Sequence, residues 1–211
     1  MKMRVQPDQK RKLWEFSAFK EKPFTLFTIG AFFGFMGLYI PFFYVQSYAI
    51  EEQIMDVNTA FYMLSILNAS SIGGRILPNF IADKTGPLNV LIPGTIVASV
   101  LAFGWIGIRS TAGLVIFSIL YGFSSGSFVS LPPTVLVSIT PNLATLGTRM
   151  GMCFAISGLG LLVGTPIAGV LIRQASFIAA IAFGGAVVAV SAGFFIMTRI
   201  AKAGVNPKVI A

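Results

Sequence analysis

The chain has 211 residues, 55% of them apolar and only 10% charged, with a mean hydropathy of +0.85 and a formal net charge of +8. Water-soluble domains carry about 25% charged residues, so this composition excludes an ordinary soluble fold and points to an integral membrane protein. Histidine is absent, which removes His-dependent triads, His-ligated metals and His proton relays, and the single Cys153 allows no disulfide within the chain.

Residues 1–22 carry Lys2, Arg4, Lys10, Arg11, Lys12, Lys20 and Lys22 against Asp8, Glu15 and Glu21, interleaved with Leu13, Trp14, Phe16 and Phe19. The stretch 6–12 is polar where a secretory signal needs an apolar run, so no cleaved signal is expected. The segment reads as a basic cytoplasmic linker whose charges set orientation; an amphipathic helix lying on an anionic leaflet is the other reading.

Six apolar spans follow, at 24–45, 58–81, 88–108, 112–139, 150–172 and 177–198, each close to the roughly 20 residues that cross a hydrocarbon layer. The connections are too short for a second domain, so 23–200 is predicted to be one six-helix bundle and 201–211 a cytoplasmic tail. The stretch 74–89 interrupts the apolar pattern with Arg75, Asp83 and Lys84 among Gly74, Pro78, Gly86 and Pro87. Each charge costs about 2.5–3.5 kcal/mol at a bilayer centre, so this stretch reads as a hinge where the chain surfaces between spans two and three, with Arg75 just inside. Arg75 stands some 17 residues into a span entered from the opposite side, roughly 25 Å deep at 1.5 Å per residue. With six spans both termini share a side; twelve Lys and Arg fall there and two, Arg109 and Arg173, opposite, so both ends are expected in the cytoplasm. The Glu51, Glu52 and Asp56 loop then faces outward.

Glycines at GxxxG spacing, Gly30/Gly34, Gly122/Gly126, Gly147/Gly151 and Gly160/Gly164, fit close helix packing, with sliding surfaces as the functional alternative. Spans one and four both place glycines early and proline late, Gly30/Gly34/Pro41 against Gly122/Gly126/Pro132, as two inverted three-helix repeats would. Two catalytic signatures are coincidental. Asp83-Lys84-Thr85-Gly86 spells an aspartyl-phosphate motif without room for a nucleotide-binding fold, and Gly122-Phe123-Ser124-Ser125-Gly126 spells a nucleophile elbow inside an apolar span of a chain lacking a histidine base. No P-loop occurs. The Asn68-Ala69-Ser70 sequon lies within a span and is expected to stay unmodified.

Gly74-Arg75 with Ala82-Asp83-Lys84-x-Gly86, between the second and third spans of a six-helix unit, resembles the loop signature of the major facilitator superfamily. The wider pattern is similar to fungal relatives of the monocarboxylate porters: 37–44 with Tyr48-Ala49, Leu67-Asn68-Ala69 ahead of Gly73-Gly74-Arg75, Leu88-Asn89, Tyr121-Gly122, Ser125-Gly126, and 164–169. The resemblance covers the second half of a twelve-helix fold. It implies an all-α membrane protein and, in an intact relative, alternating-access movement of a small anionic or carboxylated solute, with no enzymatic chemistry, metal or cofactor. Arg75 would hold the anion, with Asn68, Ser71, Tyr39, Tyr44, Tyr121, Ser124 and Ser125 as candidate lining groups, and Gly74, Asp83, Lys84 and Gly86 as the cytoplasmic loop motif, Asp83 latching that side to a neighbouring helix end or base. Animal monocarboxylate porters have an aspartate one turn before the arginine; here that place is Ser71, which bears against proton coupling through the pair. Expected partners are the solute, the bilayer of a plasma membrane, and either a missing N-terminal six-helix half or a second copy; nucleic acid is not one. A non-transporting half-bundle that packs with and regulates a partner is the alternative function.

Overall fold

The computed structural model describes residues 14–204; the expectations for 1–13 and 205–211, most of the basic segment and most of the tail, lie outside the described residues. After a short 3-10 turn, Phe16–Lys20, come eight helices: α1 Lys22–Leu38, α2 Ile40–Glu51, α3 Val57–Thr85, α4 Pro87–Trp105, α5 Thr111–Ser130, α6 Pro132–Ile139, α7 Leu146–Gln174 and α8 Phe177–Ala203. No strand occurs among the described residues. α1 with α2, and α5 with α6, each form one bent span, so the expected six spans are present. Five runs, Lys22–Glu51, Pro87–Trp105, Thr111–Ile139, Leu143–Gln174 and Phe177–Ala203, are long and apolar enough to cross a membrane by length and composition. α3, which carries Asn68, Ser70, Ser71 and Arg75, is not among them.

Local chemistry explains where the helices start. α3, α5 and α8 begin with side-chain caps, in which the Asp56, Ser110 and Ser176 oxygens accept from the N–H of Asn58, Gly113 and Ala179 at 3.1, 3.2 and 3.3 Å. α1 and α4 instead start on a proline in the first turn, where its missing N–H costs nothing. Spans one and four carry the late prolines seen in the sequence, and there the helix breaks, at Tyr39 and Leu131, because Pro41, Pro132 and Pro133 offer no N–H to the preceding turn and restart it. The two breaks occupy equivalent places in the two three-helix sets.

The stretch 74–89 needs a correction. It is helical as far as Thr85, and only Gly86 leaves the helix before α4 begins, with φ 98° and its N–H donating to the Ala82 carbonyl at 2.8 Å. That backbone conformation favours glycine. A helix of 29 residues is roughly 43 Å long, well over the roughly 30 Å hydrocarbon thickness, so Asp83 and Lys84 reach water without any break in the helix.

Packing follows the internal repeat. α1 lies against α7 and α8, α5 lies against α3 and α4, and α4 crosses α8; exchanging the two three-helix sets maps each of these contacts onto another or onto itself. Gly122 and Gly126 set α5 directly on the backbone of Leu67 and Ser71, and Gly160 and Gly164 set α7 on that of Phe32 and Met36. Gly30 and Gly34 accept the rings of Phe195 and Phe128 and the Ser191 hydroxyl, which donates to the Gly30 carbonyl at 2.7 Å. Gly147 and Gly151 face open space, so this glycine pair packs against nothing among the described residues.

Polar ties mark the two ends of the bundle. At the end where α1 begins and α8 finishes, Arg149 at the start of α7 binds Glu15 and Glu21, and Arg199 Nε donates to Asn89 Oδ1 at 2.5 Å. At the opposite end Arg109 pairs with Glu52 at 3.1 Å and donates to the Tyr48 hydroxyl, which itself donates to the Ile108 carbonyl at 2.8 Å. Large apolar side chains are uncovered on α3 at Phe61, Ile72, Ile76 and Phe80 and on α7 at Leu159, Leu162, Val163 and Val170, as they also are on α4 at Val97 and Val100 and on α5 at Ile116 and Leu120.

Candidate functional site

On α3, Asn68, Ser71 and Arg75 stand at i, i+3 and i+7 and therefore share one face. That face meets the break between α1 and α2, where Tyr39 and Phe42 project, and the small-residue side of α5. The result is a concavity of about 60 Å³ lined by Leu38, Tyr39, Phe42, Asn68, Ser71, Arg75, Ser125, Gly126 and Val129. The absence of a Cβ at Gly126 brings α5 onto the Ser71 carbonyl, and Gly74 lies in the same way on the Phe123 carbonyl. These contacts hold the arginine-bearing stretch of α3 at a constant distance from α5. One turn further along, Asn79 Nδ2 donates to the Ser130 hydroxyl at 2.9 Å and to the Arg75 carbonyl at 2.5 Å, tying the two helices again beside Pro78.

Arg75 is exposed and pairs with no carboxylate among the described residues. Its guanidinium thus keeps a fork of N–H donors for an incoming group. Asn68 spends one amide N–H on the Leu64 carbonyl at 2.9 Å, and Ser71 and Ser125 spend their hydroxyl protons on the carbonyls of Asn68 and Gly122 at 2.7 and 2.9 Å. The second amide N–H, the amide oxygen and the hydroxyl lone pairs are left over as weaker contacts. Tyr39 and Phe42, with ring centroids 5.4 Å apart, supply an aromatic wall. The arrangement can grip a planar anion by its charge and lay apolar surface beside it. It offers no nucleophile paired with a base, and no group of three or more acidic or thiol side chains suited to a metal occurs among the described residues.

Five of the eight expected lining residues, Arg75, Asn68, Ser71, Tyr39 and Ser125, therefore come together. The other three lie elsewhere. The buried Tyr121 hydroxyl donates to the Leu38 carbonyl at 2.9 Å, Tyr44 donates across to the Thr165 carbonyl of α7 at 3.0 Å, and Ser124 turns back on the Leu120 carbonyl at 3.0 Å. Tyr121 does structural work at the break, because Leu38 is the last residue of α1 and its carbonyl would otherwise be stranded. In the loop motif, Gly74 and Gly86 are needed for close approach and for the positive φ. Asp83 and Lys84 are exposed at the end of α3, and the expected latch through Asp83 is not formed among the described residues.

Sequence reasoning missed Phe42, which follows Tyr39 by three residues and so was legible as its neighbour on one helix face. It also missed the Arg149 cluster. There a buried guanidinium donates to two carboxylates at once, Glu15 at 3.1 Å and Glu21 at 2.6 Å, and stands 5.7 Å over the Phe24 ring. Nothing local in the sequence signals a pairing between residues so far apart.

Comparison with known proteins adds four findings. The family model of the Major Facilitator Superfamily matches residues 3–142. The MFS-type transporter dbaD of Emericella nidulans is 38% identical over 174 residues, covering 82% of this chain and 39% of the relative. The aspyridones efflux protein apdF of the same organism is 34% identical over 168 residues, covering 80% of this chain and 34% of the relative. The chain thus spans less than half the length of these curated relatives. The crystal structure of the E. coli fucose:proton symporter superposes with a TM-score of 0.73 at 18% identity, over 90% of this chain and 47% of the symporter, a likeness of fold.

Proposed function

We propose that this chain, which belongs to the Major Facilitator Superfamily, supplies one six-helix half of an alternating-access transporter and holds the charged end of a small anionic or carboxylated solute at Arg75. The observation that carries this reading is the convergence of an unpaired guanidinium with Asn68, Ser71, Ser125 and an aromatic wall on one concavity. Arg–carboxylate pairs are commonly bidentate, a geometry that lysine cannot reproduce.

The size of the concavity supports the half. Solute sites usually enclose about 300–1,000 Å³, so 60 Å³ grips one end of a molecule and leaves the remaining walls to another six-helix unit. The uncovered apolar faces of α3, which lines the concavity, and of α7 suit such a unit, whether a first half of the same protein or a second copy. Outward movement is the proposed direction, on likeness to a relative named as an efflux protein. The proposed setting is the plasma membrane with both ends cytoplasmic, supported by the bias of Lys and Arg toward that side. The solute is moved without chemical change.

The test is uptake or efflux of labelled organic anions by a twelve-helix protein in which this chain forms the second half. A charged bidentate contact contributes about 1.5–3 kcal/mol, so Arg75→Gln should weaken apparent solute affinity by roughly 10- to 100-fold. Arg75→Lys should retain part of it, and surface expression should stay unchanged in both. Normal transport by Arg75→Gln, or a defect confined to membrane insertion, would remove the anion assignment.

A further inference from the structure

We infer that the intact transporter is an obligate anion exchanger, whose Arg75 site crosses the membrane only when an anion fills it; the inference rests on the assignment of Arg75 as the group that holds the solute. One solute anion then leaves for each anion taken in, without a proton and without net transfer of charge. Arg75 is the one charged residue among the described residues that stands more than two turns from either end of its helix. No other residue lining its concavity is a carboxylate or a cation.

None of the seven acidic residues of the chain falls in the interior of a span. Glu15 and Glu21 are bound by Arg149, Glu51, Glu52 and Asp56 stand at the opposite end of the bundle, and Asp8 precedes α1 in sequence. Asp83, two turns beyond Arg75 and so roughly 12 Å along α3, is exposed near the end of that helix. Ser71 occupies the nearest place from which α3 could offer an acid, one turn before Arg75, and its hydroxyl proton is committed to the Asn68 carbonyl at 2.7 Å. The site is therefore positively charged when empty and neutral when it holds a monoanion. Alternating access carries it through a state closed to both sides, and withdrawing water from an isolated charge costs far more than withdrawing it from a hydrogen-bonded ion pair. The loaded site reorients and the empty one is held back. A carrier that returns empty needs an acid beside the guanidinium to neutralise it on the way, and this half has none to give.

The test uses the twelve-helix protein in which this chain forms the second half, purified and reconstituted in liposomes with the membrane potential clamped. Radiolabelled benzoate, gluconate and pyruvate are offered at alkaline pH, and the acid whose uptake Arg75→Gln weakens most is carried forward. Its uptake should be at least about tenfold faster into liposomes preloaded with the same unlabelled acid than into liposomes holding only zwitterionic buffer, and should carry no current. A more alkaline interior should not replace the internal anion. Arg75→Lys should keep the stimulation by internal anion, whereas the residual uptake by Arg75→Gln should be equal with and without it, because the empty site no longer carries a charge. Where Arg75→Gln leaves too little uptake to compare, the two parent measurements decide alone. Equal uptake by the parent into loaded and empty liposomes overturns exchange while leaving Arg75 as the anion-holding group. Replacement of the internal anion by an alkaline interior means that the other half brings an acid to the guanidinium, and overturns exchange as well. If uptake of none of the three acids depends on Arg75, the assignment of Arg75 falls and the exchange inference falls with it.

Discussion

Arg149 and Arg75 lie toward the same end of the bundle and are held in opposite ways. The Arg149 side chain is 4% exposed and makes four hydrogen bonds of 2.6–3.1 Å to Glu15 and Glu21, whereas Arg75 is exposed in a concavity with no carboxylate beside it. A paired, hydrogen-bonded guanidinium is structural; one left with open donors at a concavity is available for a ligand. Hydrogen bonding from Arg149 holds the Glu21 carboxyl below its ordinary value of 4.5, with burial opposing the shift. A depressed carboxylate pKa contributes stability above the ordinary value, and that stability is lost as pH falls through the folded value. Arg149→Met, which leaves two acids facing each other, should therefore cost of the order of 3 kcal/mol at neutral pH, with the difference from the parent shrinking on acidification. Thermal melts of the detergent-solubilised chain across the carboxylate range check this; a difference independent of pH would show that the lost term is packing on Phe24 rather than charge.

At the scale of helices, the glycines divide into those that another backbone touches and those that nothing touches. A methyl group at Gly126 would meet the Ser71 carbonyl, while one at Gly158 would meet nothing within 4 Å. Alanine is a better helix former than glycine by about 1 kcal/mol, so Gly158→Ala should leave the isolated chain as stable or stabilise it by up to that amount. Gly126→Ala should destabilise it by about 1–3 kcal/mol through overpacking, and should also shift Arg75 relative to Tyr39. The unfolding midpoint of Gly126→Ala should fall while that of Gly158→Ala holds or rises, and a Gly126→Ala midpoint that does not fall would show that α3 and α5 can part freely. The α1/α2 break gives a second test. Tyr121→Phe strands the Leu38 carbonyl in an apolar core, a loss of about 1–3 kcal/mol, without removing any group from the concavity.

For the whole molecule, the contact pattern describes a bundle closed on itself around α1, α4, α5 and α8, with α3 and α7 lying outside and half unpartnered. Purified chain alone is therefore expected to give no solute flux in liposomes, and flux should appear when a six-helix first half is supplied. Flux from the chain alone, without a crosslinkable dimer, would contradict the half-site reading. Orientation has its own test. In a Cys153→Ser background, Glu52→Cys and Lys84→Cys should react with an impermeant thiol reagent from opposite faces of a sealed membrane, the second from the cytoplasmic face. Reaction of both from one face would contradict the six-span arrangement.

Hydropathy and the period of polar residues were enough to read the six spans, the polar character of α3 and the shared face of Asn68, Ser71 and Arg75, because each depends on residues within a few turns of one another. The late prolines of spans one and four were visible too, although that these break their helices at Tyr39 and Leu131 while Pro78, Pro93 and Pro166 remain inside theirs is seen only in the fold. Composition could not separate Tyr39, which lines the concavity, from Tyr44 and Tyr121, which satisfy the carbonyls of Thr165 and Leu38, since all three lie on apolar helices and differ only in what stands opposite. The same holds for glycines: Gly122/Gly126 and Gly147/Gly151 have identical spacing, and only the approach of α3 to α5 gives one pair a partner and leaves the other facing open space. Arg149 was legible as a topology-setting charge, but its burial between Glu15 and Glu21 required the N-terminal turn to lie beside a helix that begins more than a hundred residues later, a proximity that only the folded chain creates.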